Sequence, residues 1–324
     1  MSALRASLMV GLASFASACS DAKLTPALEE PIRVTSAQFR KGTLPGSPPL
    51  SDPAAPPLTP TVTSVALSGL LVAPGYSGKR ISGRASTDSV AVGMRLADLG
   101  SGYWVFPVGA PDPTAKGEYS WSARLDFSRE VPAGEHELVL VGIDGAGRAG
   151  SQFSSRLCFS SPLGDESICN PRVNPPRAVV SLAWDADADL DLRVVTPDGK
   201  VVDAKHPSTA LAADAGAPVD PSVPGVGVLD RDSVRACAAD GVERENLIFL
   251  EEPAAGSYAI YANLYDSCSL PSVRFTLSVH RAVASEGSDA LVLTETFRRS
   301  GVLLAADANG GAALGMFVTT LEAN

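Results

Sequence analysis

The sequence predicts an all-β protein built as two β-sandwich domains. Three observations carry that reading. Apolar and polar residues alternate in short runs such as Val90-Ala91-Val92-Gly93-Met94-Arg95-Leu96, as half-buried strands require. The 324 residues are punctuated by 29 Gly and 25 Pro, which set turns between those runs, while stretches with helical period are scarce. About 300 residues remain behind an N-terminal leader, enough for two domains at the usual size.

The leader occupies residues 1–18. A basic start ending in Arg5 precedes the apolar run Ala6–Phe15, which is too short to span a bilayer and reads as a signal peptide. The run closes on Ala16-Ser17-Ala18-Cys19, which resembles the lipobox of bacterial lipoproteins. That resemblance implies lipidation of Cys19 and anchorage in the cell envelope; Ser20 after it resembles lipoproteins sorted to the outer membrane. The same small residues also read as an ordinary cleavage site, which would release a soluble secreted protein. With Cys19 set aside, Cys158, Cys169, Cys237 and Cys268 form an even set and predict two disulfides in an oxidising compartment. Proximity favours Cys158 with Cys169 and Cys237 with Cys268, out of three possible connectivities. Residues 19–60, rich in Pro, Ser and Ala, read as a lipidated Cys followed by a disordered Pro-rich tether, with Ile32-Arg33-Val34-Thr35 as its one strand-like stretch.

Residues 61–159 hold six to seven strand-like runs, the count of a sandwich. Their end, Ile143-Asp144-Gly145-Ala146-Gly147-Arg148-Ala149-Gly150, resembles the closing strands of bacterial immunoglobulin-like repeats, which implies an immunoglobulin-like β-sandwich and no particular activity. In Trp104 with Tyr103, and Trp121 with Tyr119, large aromatics fall at strand period, which suits core packing better than a sugar-binding platform. Residues 160–176 read as a disulfide loop and linker, and 177–324 as an acidic β-sandwich that includes strands at Ala290–Thr296 and Gly301–Ala305.

The densest cluster of chemistry is Trp184-Asp185-Ala186-Asp187-Ala188-Asp189-Leu190-Asp191-Leu192. In an extended chain its four carboxylates share one face, opposite Trp184, Leu190 and Leu192. Oxygen-only ligands favour Ca²⁺. It is not an EF-hand, because Leu190 stands where that loop needs Gly and Thr196 where it needs Glu. The block Trp184, Asp189–Leu192, Val194, Pro197 and Gly199 resembles a bacterial β-sandwich family of unknown function, related to the C-terminal domains of secreted peptidases. Gly227–Asp232, Glu245–Ile248 and Ala255–Ile260 continue that resemblance in order, which implies a jelly-roll or peptidase-C-terminal-like fold over residues 178–281. The candidate metal ligands are Asp187, Asp189, Asp191, Asp230 and Asp232; the competing reading is solvated acidic turns.

A net charge of −10 argues against nucleic acid as a partner, since such binders need a basic stripe. No Gly-x-Ser-x-Gly elbow, phosphate loop or His-Glu-x-x-His motif occurs, and the three histidines are scattered. The expectation is a non-catalytic envelope lipoprotein that acts as a binding, adhesion or structural module, possible partners being the membrane through its anchor and a protein or polysaccharide ligand. The alternatives are an auxiliary subunit of a secreted peptidase or other envelope machine, and a carboxylate-pair hydrolase.

Overall fold

The computed structural model describes residues 30–49, 57–210, 219–285 and 287–324, and its regular structure there is strands with three short 3-10 turns. The expected signal peptide and Cys19 lie outside the described residues. Among those residues no helix is long and apolar enough to cross a membrane.

The first sandwich packs two sheets around one core. One has the order β1 (Ile32–Val34), β8 (Glu118–Phe127), β5 (Lys79–Ser86), β3 (Val62–Leu67). The other runs β2 (Gln38–Lys41), β7 (Gly102–Pro107), β6 (Ala91–Leu96), β9 (Gly134–Ile143), β10 (Ala149–Phe159), β4 (Leu71–Val72). The neighbours β3-β5-β8 facing β6-β9-β10 are the sheet partition of immunoglobulin-like sandwiches. Inward residues alternate along each strand, so that Trp121, Ala123, Leu125 and Phe127 of β8 all enter the core.

Residues 30–49 correct the tether predicted for 19–60. Ile32 and Val34 are each 2% exposed and β1 pairs antiparallel with β8, while Leu44 is buried against Val139, Val141 and Ile143. Apolar residues two apart gain more by covering a sheet edge than by remaining in solvent. Trp104 and Trp121 are core residues: both rings are buried, and their Nε1 atoms donate to the carbonyls of Ile32 (2.7 Å) and Arg84 (3.0 Å).

The second sandwich has one sheet in the order β14 (Gly227–Leu229), β15 (Arg244–Phe249), β11 (Ala178–Trp184), β17 (Ser272–Ala284), β18 (Leu291–Leu304). Its partner runs β13 (Val201–Val202), β12 (Asp189–Val195), β16 (Gly256–Asp266), β19 (Met316–Ala323). Leu190, Leu192, Phe249, Tyr258, Phe275 and Leu277 fill the space between the sheets. The two strands expected at 290–296 and 301–305 are one strand, β18, because a bulge at Thr296, opposite the step from Val279 to His280, takes up one residue and pairing continues. At Gly301 the Phe275 ring fills the place of a side chain, since a Cβ there would stand 2.6 Å from Phe275 Cζ.

Disulfides join Cys158 to Cys169 and Cys237 to Cys268, bonds that belong to an oxidising compartment. The first closes a loop of separation 11 beside the junction between sandwiches. At that junction Asn246 Nδ2 donates to the carbonyl of Pro162 (3.0 Å), and Arg129 meets Glu243 at 2.6 Å.

Candidate functional site

The acidic run does not form one strand. β11 ends at Trp184, whose indole enters the core, and Asp185–Ala188 turn to carry the chain into the opposite sheet, where β12 starts at Asp189. This crossing corrects the expectation that four aspartates share a face. Asp185 Oδ1 accepts from the backbone N of Arg274 (3.0 Å), and Asp187 is exposed in the turn. Only Asp189 and Asp191 remain together, on the outer face of β12, alternating with Leu190 and Leu192.

That outer face is covered. Loops carrying Asp203–Lys205 and Asp232–Ala236, together with Tyr265, wall a cavity of about 310 Å³ over it. Asp189 is 3% and Asp191 5% exposed, and one carboxylate oxygen from each of Asp189, Asp191 and Asp232 lies within 4.8 Å of the others. Asp230 does not join them. Its carboxylate accepts from the backbone N and Nδ2 of Asn246 (both 2.8 Å) and meets Arg231 at 3.2 Å, fixing the loop after β14 to β15.

Burial sets the electrostatics of the cluster. Desolvation pushes the Asp189 carboxyl up to about 6, with Asp191 and Asp232 adding like charge and the 2.7 Å bond from Ala236 N opposing. Asp191 is raised by burial as well, against the pull of Arg193, whose Nη2 lies 3.2 Å away. Arg193 is itself 8% exposed, and its Nη1 donates to the carbonyls of Gly311 (3.3 Å) and Ala313 (2.7 Å). Asp232 has only Arg235, at 3.5 Å, for an ion-pair partner among the described residues.

Two groups beneath the cluster escaped the sequence reading. Glu245 of β15 is fully buried and accepts from the backbone N of Leu192 (2.7 Å) and of Ser233 (3.1 Å); desolvation drives its carboxyl well above the ordinary range. Its signal was available, since Glu245 shares the inward period of Leu247 and Phe249. Asn263 of β16 stands opposite Asp191 in the ladder and is fully buried. Its Nδ2 donates to Ala313 O (2.9 Å), whereas its Oδ1 has no partner among the described residues.

The raised carboxyl has a testable sign. Folded Asp189 keeps its proton until about pH 6, whereas an unfolded chain loses it near 3.8, so the folded state binds more protons in between. Stability contributed by this group is therefore fully present below pH 3.8 and is lost as pH rises through 6. The shift is equivalent to about 3 kcal/mol. Urea titrations at pH 4.5 and 7.5 should show Asp189→Asn gaining on wild type at the higher pH; equal differences at both pH values would refute the assignment.

No protein-family model matches this chain, and no curated protein matches it. Among solved structures it has slight likeness to dimeric latent PorU from Porphyromonas gingivalis, at 10% identity and a TM-score of 0.20, covering 79% of this chain and 31% of that one. The C-terminal domain of the AgI/II polypeptide BspA from Streptococcus agalactiae gives 11% identity and a TM-score of 0.20, covering 68% of this chain and 96% of that domain. The chain thus spans less than a third of the length of the PorU chain.

Proposed function

We propose that this protein is a non-catalytic binding or structural module of the bacterial cell envelope, exported and lipid-anchored through Cys19 at the outer membrane, whose second sandwich is locked by Ca²⁺. The observation that carries the cation is the convergence of Asp189, Asp191 and Asp232. Oxygens on opposite sides of a Ca²⁺ ion bonded at about 2.4 Å stand about 4.8 Å apart, and the three carboxylate oxygens all lie within that distance of one another. The unpartnered Oδ1 of Asn263, opposite Asp191, supports the same reading as a neutral oxygen donor at the edge of the set. All the candidate donors are oxygens, the preference of a hard cation. Arg193 retains the carbonyls of Gly311 and Ala313 when a cation takes its place beside Asp191.

The ion's role is structural in this reading: it offsets the repulsion of buried carboxylates and holds the loops over β12. Thermal unfolding of the full chain in EDTA and in millimolar Ca²⁺ tests it. Ca²⁺ at a hundredfold excess over its dissociation constant should stabilise by about 2.7 kcal/mol, and Asp189→Asn with Asp191→Asn should abolish the shift. An unchanged midpoint in wild type sinks the proposal.

The resemblance of the second sandwich to peptidase-associated modules supports a second reading, an auxiliary subunit of a secreted peptidase. Its blocks fall on β11, β12, β14 with the loop after it, β15 and β16, of which β12 and the loop after β14 supply the acidic cluster. Copurification of a peptidase with the native protein would favour it.

A further inference from the structure

β18 is the edge of its sheet along its whole length, Leu291–Leu304, and no described strand pairs with its outer side. An edge of 14 residues presents a long row of unpaired backbone groups, which soluble proteins normally shorten or cover. The neighbouring edge, β19, is covered: Arg299 donates to Val318 O at 2.8 Å and Arg281 donates to Glu322 O. Among the described residues β18 has no such cover, and it carries exposed apolar residues towards both ends, with Val292 49%, Val302 48% and Leu304 55% exposed.

Its sequence is also complementary to itself. The ladder to β17 puts Leu291, Leu293 and Glu295 on the outer face of the sheet, opposite Ala284, Ala282 and His280, and the bulge at Thr296 then returns Arg298, Ser300 and Val302 to that same face. A two-fold axis normal to the sheet, passing between Thr296 and Phe297, therefore pairs like faces of two antiparallel copies of β18. On the outer face Glu295 then meets Arg298 of the second copy and Leu291 meets Val302, each pairing occurring twice. On the other face Val292 meets Gly301 and Thr294 meets Arg299. Without the bulge the same register would oppose outward to inward residues, so the irregularity that ordinarily spoils an edge keeps this one in phase. Charges meet opposite charges at the centre and apolar residues meet at the ends, the pattern that stabilises cross-strand pairs. Within one chain Glu295 and Arg298 already pair, at 2.5 Å, and a second copy turns this pair into a ring of four alternating charges.

We propose that β18 is a homodimerisation edge, through which two copies of this chain join their five-stranded sheets into one continuous antiparallel sheet by the Glu295–Arg298 register. The occupant is a second copy because the strand complements itself in charge, in apolar content and in face. The interface lies apart from the acidic cluster and needs no cation.

Sedimentation velocity of the full chain at high-micromolar concentration, in EDTA, should give a dimer. Glu295→Arg places like charges opposite Arg298 of the second copy, and Arg298→Glu does the converse, so each variant alone should sediment as a monomer with an unchanged near-ultraviolet circular dichroism spectrum. An equimolar mixture of the two should recover the dimer, because each variant is complementary to the other but not to itself. A monomeric wild type overturns the proposal, as does a dimer that survives both single variants or a mixture that stays monomeric while both variants are folded.

Discussion

Glu245→Ala should lower the unfolding free energy by about 3 kcal/mol or more, whereas Glu245→Gln should cost about 1–2 kcal/mol. The buried carboxyl of Glu245 is the acceptor for two backbone N–H groups, one on β12 and one in the loop after β14. Alanine leaves both donors without a partner in a site closed to water, at about 1–3 kcal/mol each, and adds the volume of the missing side chain. Glutamine keeps the volume and one acceptor oxygen, so one of the two N–H groups stays paired while the other faces the amide nitrogen, a donor. The contrast also reports on charge: burial raises the Glu245 carboxyl, so its contribution to stability falls as pH climbs, and the glutamine variant should lose that slope. Chemical denaturation at pH 5 and pH 8 reads both effects. An alanine variant within about 1 kcal/mol of wild type would remove Glu245 from its place as the tie between β12 and the covering loop.

Cys237→Ser with Cys268→Ser should cost about 3–4 kcal/mol, from the chain-entropy model for a separation of 31 residues. The effect should reach the acidic cluster, the proposed Ca²⁺ site, as well. Asp232 and Ala236 line one wall of the cavity and Cys237 follows directly on Ala236, while Cys268 comes three residues after Tyr265, which lines another wall. The backbone there is held in left-handed conformations at Val234 (φ 57°), Ala236 (φ 52°), Cys237 (φ 62°) and Cys268 (φ 52°), none of them glycine. Such conformations persist where surrounding structure imposes them. Releasing the bond frees this segment to relax, and with it the backbone N of Ala236 that contacts Asp189. The variant should therefore unfold at a lower midpoint and show a smaller Ca²⁺-dependent shift than wild type. A midpoint drop with the full shift retained would mean that the disulfide acts on global stability alone.

The fold class was legible because alternation of apolar residues and glycine-rich turns report strand and turn directly, as in β8 and β12. What the sequence hid were features set by contacts distant in the chain. Ile32 and Val34 look incidental in a proline-rich stretch, and their role emerges only when β8 supplies the edge they cover. The aspartate run reads as one strand because a turn that crosses between sheets leaves no glycine or proline at Asp185–Ala188. Asp189 and Asp191 were recoverable from period alone. Asp232 comes 41 residues after Asp191, so the sequence could place it near them only by the order of family blocks.

The N-terminal strands also change the length of the leash. Ten residues separate Cys19 from Glu30, the first described residue, and the eleven Cα–Cα steps between them reach about 40 Å at most. A tether running to residue 60 would reach nearly four times as far. If Cys19 is fixed in a membrane, the first sandwich is confined to a thin layer above it. A pull from that side loads the three-residue ladder between β1 and β8 before the rest of the domain, making this short ladder the first mechanical joint of the molecule.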